Sequence, residues 1–429
     1  IFGNIIQKTI SNSEDTQTQT AHTQYEPTGR FVIKTTDHLG LETTFTHNNK
    51  GQVLSQTDPF GNTVTNVYDH WGKLISSNHN LSGTTTYQYQ KYNSYNNTGI
   101  RVTENFPDGN TVVLFTNTLG QNFKKVTKSF NSSKYIVKET AYDPVGRKIA
   151  ESEPYETTSI TPDISSTNSS TWNRITYNDY VFPPQVTAMA FNYGKTIETT
   201  ITGNTTVTKE MNGYGRTFTK TTDALGNVLT STDKGGSVTF SYNASGQNIS
   251  AQYDGNTVTT EYDNWGRKKQ FHDPSNGTYQ YYYDGLGKTK RIISPKGEKN
   301  YEYTDQGLLS QITEYANDGS TDKNILLEYN VYGQPIKKFG ESNGLHFNQN
   351  FNYDQYGRLI DNNEIFADKE FYTKERNYDH LGRLVSYSKG IISDGNTTEA
   401  SIENRYKTWD GSLYQIINKN GVSKPVLWS

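Results

Sequence analysis

The chain has 429 residues, a formal net charge of −3 and no cysteine, which excludes disulfides, thiolate catalysis and cysteine-ligated metals. Only 31% of its residues are hydrophobic and mean hydropathy is −0.83. No apolar run reaches the ~18 residues of a membrane-spanning helix, and no concentrated basic face offers the footprint that nucleic acid needs. Against that polar background stand 32 tyrosines. Tyrosine can replace aliphatic residues in a sheet because it buries a large ring and keeps a hydroxyl for hydrogen bonding. The composition therefore suits a sheet with one face on a polar compartment, and the absence of cysteine fits an exported bacterial protein.

Along the chain one phrase returns nine times: Tyr, then Asp or Asn, two variable residues and Gly, usually followed by a basic residue. The copies start at Tyr68, Tyr95, Tyr142, Tyr242, Tyr262, Tyr283, Tyr329, Tyr353 and Tyr378, with degenerate copies at Tyr25, His47, Thr222 and Tyr303. Spacings of 20 to 22 residues, stretching to 24 to 26 later, define a repeat architecture. Three zones follow: regular repeats over 1–80, loosened ones over 81–210, regular ones again over 211–429, all in one continuous array. In the first zone Asp58-Pro59-Phe60-Gly61-Asn62 marks a second type of turn between successive phrases. The loosened zone holds the Asn/Tyr-rich 92–97, a Ser/Thr/Pro stretch over 153–171 that reads as a long loop, and Phe182-Pro183-Pro184, which interrupts any strand because proline cannot donate to a ladder.

In the third zone the unit is clearest. Val238, Phe240 and Tyr242, then Val258, Thr260 and Tyr262, then Tyr279, Tyr281 and Tyr283, then Ile325, Leu327 and Tyr329 fall at every second position, the period of one strand face. After the tyrosine, the Asp side chain can cap backbone amides two residues on, and the glycine supplies the left-handed backbone that a tight bulged turn needs. Second turns recur at Asp233-Lys234-Gly235-Gly236 and 273–277. Strand, turn, strand is the expected unit, with little helix anywhere because Gly, Asn and Asp interrupt helical periodicity too often.

No chemical constellation emerges from this pattern. The eight histidines, at 22, 38, 47, 70, 79, 272, 346 and 380, include no metalloprotease pair; His38, His70 and His380 occupy variable turn positions. Gly287-Lys288-Thr289 imitates the end of a phosphate loop, but Tyr282 stands where its first glycine belongs. Asn317-Asp318-Gly319-Ser320-Thr321-Asp322 lacks the full spacing of a calcium loop and reads as a hairpin turn. Arg267-Lys268-Lys269 reads as solvated residues opening a strand. Arg147, Arg267, Arg358 and Arg383 recur at one repeat position, which assigns them to the repeat itself, packed over a neighbouring tyrosine or paired with the turn aspartate. No catalytic, cofactor-binding or metal-binding residue is expected.

The phrases Tyr142 to Arg147, Tyr262 to Arg267, Tyr353 to Arg358 and Tyr378 to Arg383 resemble the YD repeat of Rhs proteins, of the B and C components of bacterial Tc toxins, and of teneurins. Together with Asp233 to Tyr242, Asp273-Pro274 and Pro295-Lys296-Gly297, they look most like the bacterial Rhs form. The resemblance implies an all-β, antiparallel YD-repeat sheet spiralling into part of a hollow shell, a β-cocoon. It further implies a non-enzymatic scaffold of a secreted bacterial toxin or effector that encapsulates a C-terminal toxic cargo. The expected partners are then the rest of a longer polypeptide and that cargo, with export machinery and cell-surface glycans as candidates, and neither nucleic acid nor a membrane span. Rhs proteins close the shell with a core segment rich in Asp-Pro and Asn-Pro whose aspartates self-cleave; none is found before Ser429, so no catalytic residue carries over. Complete shells of the family use longer chains, so an open arc is expected. The rival reading is a cell-surface adhesion or carbohydrate-binding array, separated from the first by whether the motif tyrosines are packed or exposed in a row.

Overall fold

The computed structural model describes residues 3–11, 18–94, 98–129, 133–164, 172–178, 185–191, 194–366, 369–379, 382–393, 395–407, 412–420 and 426–428. These residues form 37 strands and no helix. Nearly every strand pairs antiparallel with the next in sequence, so one hairpin follows another along a continuous strip. The alternation expected of the third zone is present: in Gly236–Tyr242 and Gly277–Tyr283 the motif side is half-buried and Ser237, Thr239, Ser241, Gln280 and Tyr282 are exposed. The expected YD turns are equally clear. At each, the strand shifts register by a bulge just before the tyrosine, as at Glu261/Tyr262 and Glu328/Tyr329. The turn glycine then takes positive φ, 77° at Gly266 and 74° at Gly333, a backbone that a Cβ disfavours. The phrase at Tyr95 is the exception. Its first three residues lie outside those described, and its Gly99 sits inside strand Thr98–Asn105, paired with Asn117.

Among the described residues the strip forks once. Strand Tyr135–Tyr142 pairs through Tyr135 to Val137 with the short strand Tyr155–Thr157, and through Thr140 to Tyr142 with Lys148–Ser152. Lys148–Ser152 in turn pairs with Trp172–Asn178, and the strip continues. This lets the stretch expected as a loop fold over the sheet, so that Tyr155, Ile160 and Ile164 pack onto Val113, Phe115, Phe123, Val126 and Val137, all at most 4% exposed. Trp172, Ala141 and Ala150 close the neighbouring cluster. Outside these clusters Ile402 and Ile417 are also buried, at 1% and 6% exposure. The part of the 153–171 stretch from 165 to 171, like Phe182-Pro183-Pro184, lies outside the described residues.

The strip also meets itself. His38 Nε2 lies 3.1 Å from the carbonyl oxygen of Leu286, and the Tyr356 hydroxyl donates to Pro107 O at 3.4 Å, contacts between residues 248 and 249 apart in sequence. The sheet therefore coils, and the turns on one edge of its first course, residues 37 to 109, abut the YD turns of a later course, residues 284 to 357.

Candidate functional site

Two repeated constructions account for most motif side chains, and the first lies within the sheet. In the turn Asp263 to Arg267, Asp263 Oδ1 accepts the amides of Trp265 at 3.0 Å and Arg267 at 2.8 Å, while Arg267 Nε donates to Asp263 Oδ2 at 2.7 Å. The guanidinium then lies over the ring of Tyr283, the tyrosine of the next repeat, at 4.5 Å. The Tyr283 hydroxyl donates back to Lys268 O at 2.6 Å. The same arrangement recurs with Arg147 and Tyr177, Arg358 and Tyr378, and Arg383 and Tyr406. Both alternatives expected for the arginines, stacking on tyrosine and pairing with aspartate, are thus realised by the same side chain. Where glutamine follows the glycine, its amide donates instead to the next turn's glycine carbonyl, as Gln52 does to Gly72, Gln121 to Gly146 and Gln247 to Gly266, each at 2.7 Å. Tyrosine hydroxyls at 68, 142, 242, 262, 303, 329 and 353 each bond a backbone carbonyl of the preceding repeat.

The electrostatics follow from these bonds. The Asn227 amide, with backbone amides of the turn, holds the Asp223 carboxyl below the usual range. Ser275 and Asn276 lower Asp273 to about 2. Burial, helped by the charge of Asp284, pushes the Tyr303 hydroxyl up, which keeps it a neutral donor.

The second construction is the seam between courses. Leu39 lines a groove with Asp284, Leu286, Thr304 and Gly307, and Phe60 lines another with Thr304, Leu308 and Val331. The Phe60 ring lies 3.4 Å from where a Cβ on Gly333 would stand, and Leu81 Cδ2 lies 3.6 Å from the corresponding point at Gly357. Each apolar turn tip of one course therefore enters the space between successive YD turns of the other. The seam partners are 268 residues apart for Leu39 and Gly307 and 276 for Leu81 and Gly357.

Sequence reasoning did not find the seam, because periodicity gives neighbours along the strip and not across it. It also passed over Asn117 to Gln121, a YD turn in which Thr116 replaces the tyrosine and Asn117 Oδ1 caps Leu119 and Gln121. Tyr177 and Tyr406 complete the ladder without the full phrase. The buried pair Lys124 and Glu139, 2.9 Å apart with side chains 4% and 0% exposed, was likewise invisible, since the two face one another only through strand register.

The residues weighed for chemistry are dispersed. His70 leans on Trp71, His47 stacks on Phe31, His79 Nδ1 accepts the Leu81 amide, and His272 meets Thr278; His380 lies outside the described residues. Lys288 donates to Gly307 O. Asp318 caps the Ser320 amide at 2.9 Å within a hairpin turn. Among the described residues there is no group of three side chains able to hold a metal ion, and no helix long and apolar enough to cross a membrane.

Known proteins share this fold. The RHS repeat family matches residues 25–63, while no curated protein matches the chain. A crystal structure of TcdB2-TccC3 superposes with a TM-score of 0.62 at 12% identity, covering 95% of this chain and 28% of the other. The same pair without its hypervariable C-terminal region gives 0.64 at 12% identity, with 98% and 30% covered. The Photorhabdus luminescens Tc holotoxin pore with a TccC3 mutation gives 0.60 at 11% identity, with 95% and 30% covered. The chain carries an RHS repeat over residues 25–63, and its fold is that of the Tc-toxin shell. It spans about 30% of the length of these solved chains.

Proposed function

We propose that this sheet is one arc of the wall of a container, the scaffold of a secreted bacterial toxin or effector that holds a C-terminal cargo polypeptide and performs no chemistry itself. The observation that carries the reading is the seam. A sheet that coils and plugs its own courses together with Leu39, Phe60 and Leu81 makes a continuous wall, which an extended binding platform does not need. The consumption of motif side chains by the repeat supports it: the tyrosines are half-buried, with hydroxyls bonded to the preceding repeat, and do not stand in a free row for sugars to stack on. On this reading residues 1–429 act as one continuous array and not as separate domains, and the protein works outside the cytoplasm of the cell that makes it. The rest of the polypeptide and the cargo are its partners.

Limited proteolysis and mass spectrometry of the full-length protein test the proposal. A C-terminal fragment cleaved from the wall, yet co-eluting with it and resistant to protease, is the expected result. A full-length protein that retains no protected fragment, and instead is retained on glycans or cell surfaces, would transfer the function to adhesion.

A further inference from the structure

Two kinds of junction hold this sheet together, and they are built from different bonds. Within a course each strand is laddered to the next through the backbone, as from Gly297↔Ala316 to Tyr303↔Leu309, and tyrosine, arginine and glutamine side chains tie one repeat to another. Across the seam, among the described residues, no backbone amide donates to a backbone carbonyl and no ion pair is made. What crosses is the pair of side-chain contacts at His38 and Tyr356 and the tips Leu39, Phe60 and Leu81, each half-buried. Packing there is loose, with grooves of about 600 Å³ beside Leu39 and about 580 Å³ beside Phe60.

Parting two strands within a course would expose two rows of unpaired N–H and C=O groups. Parting the courses at the seam exposes none. His38, the Tyr356 hydroxyl and the carbonyls they meet turn to water, and the YD turns that form the sockets keep their own bonds, as Gly307 N to Thr304 O at 2.8 Å and Gly333 N to Asn330 O at 3.0 Å. We propose that the seam is the line along which the wall opens. The two courses separate as intact ribbons, while Leu39, Phe60 and Leu81 leave the spaces between YD turns and every strand keeps its ladder. Opening then costs the contacts of a few half-buried side chains, a local event well below the cost of unfolding a course. For a container this is a way to open without unfolding its wall, a use that rests on the container reading. The separation of the courses itself needs no cargo, so either can fail without the other.

Spin labels in the full-length polypeptide test this. One pair, Pro59→Cys with Val331→Cys, lines the Phe60 groove and reports on the seam. The other, Ser245→Cys with Asn264→Cys, occupies exposed positions of successive YD turns and reports on the ladder within a course. Both distances are followed by pulsed electron spin resonance as urea is raised. The 59–331 distance is expected to lengthen at a urea concentration that leaves the 245–264 distance unchanged. Phe60→Asp should raise the parted fraction at that concentration about 5- to 30-fold without moving the 245–264 transition. Lengthening of both pairs together would overturn the proposal, as would a Phe60→Asp effect of equal size on both. Leu39→Cys with Leu286→Cys, which line the neighbouring groove, repeats the measurement should the first pair disturb its turn.

Discussion

The strands of residues 236–283 and those of residues 111–142 belong to one sheet, but they are stabilised differently. In the former every hairpin repeats its neighbour, and side chains such as Phe240 and Tyr281 are half-buried because they lean only on the strands beside them. In the latter the fork frees residues 153–164 to fold back as a second layer, and Phe115, Val126 and Val137 fall to 1%, 0% and 0% exposure. The zone whose repeats are loosest in sequence therefore packs most tightly. Strict repetition extends a wall but gives every unit the same uncovered face; a departure from repetition supplies the cover. Stability in such a strip is close to a sum of local units and nearest-neighbour terms, so the two zones should fail separately.

The largest effects belong to the covered zone. Phe115→Ala should cost about 3–5 kcal/mol there, and Phe240→Ala less, because part of its surface already meets solvent. Denaturant titration with site-resolved hydrogen exchange compares the two, and equal losses would erase the distinction between zones. Glu139→Ala strands the Lys124 ammonium under the covering segment, where its other partner is the Asp163 carbonyl at 2.8 Å, and should cost about 3–5 kcal/mol. Restoring much of that stability with Lys124→Met and Glu139→Leu together is expected, since an apolar pair of similar volume removes both desolvated charges. A double variant as unstable as the single one would show that the pair is needed for its geometry.

Smaller effects belong to the wall. Phe60→Asp should remove about 1–2 kcal/mol of seam contact, the half-buried fraction of a phenyl ring's transfer energy, and raise exchange at the turn 330–333 while leaving 243–246 unchanged. Tyr262→Phe deletes one hydroxyl bond, to Asn248 O at 2.9 Å, and should cost about 0.5–1.5 kcal/mol, confined to the two repeats that the bond joins. A loss spread over the whole strip would mean that the courses unfold as one body.

What the sequence displayed, and what it hid, follows from how far each interaction reaches. The Tyr-Asp-x-x-Gly phrase carries its turn locally: Asp263 caps amides two and four residues on, and Gly266 holds the positive φ, so strand and turn were legible from composition and period, and the spiral sheet from the resemblance to the YD repeat. The arginine contacts were half legible, since Arg267 finds Asp263 within its own turn but Tyr283 only one repeat later. Leu39 and Phe60 gave no signal, because the turns that receive them lie some 250 to 275 residues away. Lys124 and Glu139 were hidden for a related reason, as their burial depends on a segment whose Ser, Thr and Pro content marks it only as irregular.

The smallest effect concerns acid. Asp273 is lowered to about 2 by the hydroxyl and amide of Ser275 and by Asn276, and Glu26 to about 2 by the Thr28 hydroxyl with the amides of Thr28 and Arg30. A carboxyl whose folded pKa lies below its unfolded value contributes stability that is present above the unfolded pKa, near 4 for such groups, and is lost as pH falls through the folded one. Both turns are exposed to solvent, so each loss is small and local. Hydrogen exchange, corrected for the intrinsic rate at each pH, should show the Ser275 and Thr28 amides opening between pH about 4 and about 2 while Val126 and Val137 keep their protection. If the core strands lost protection over the same window as the turns, acid would be acting on the strip as a whole, and the separation of wall from covered core would fail at its most sensitive point.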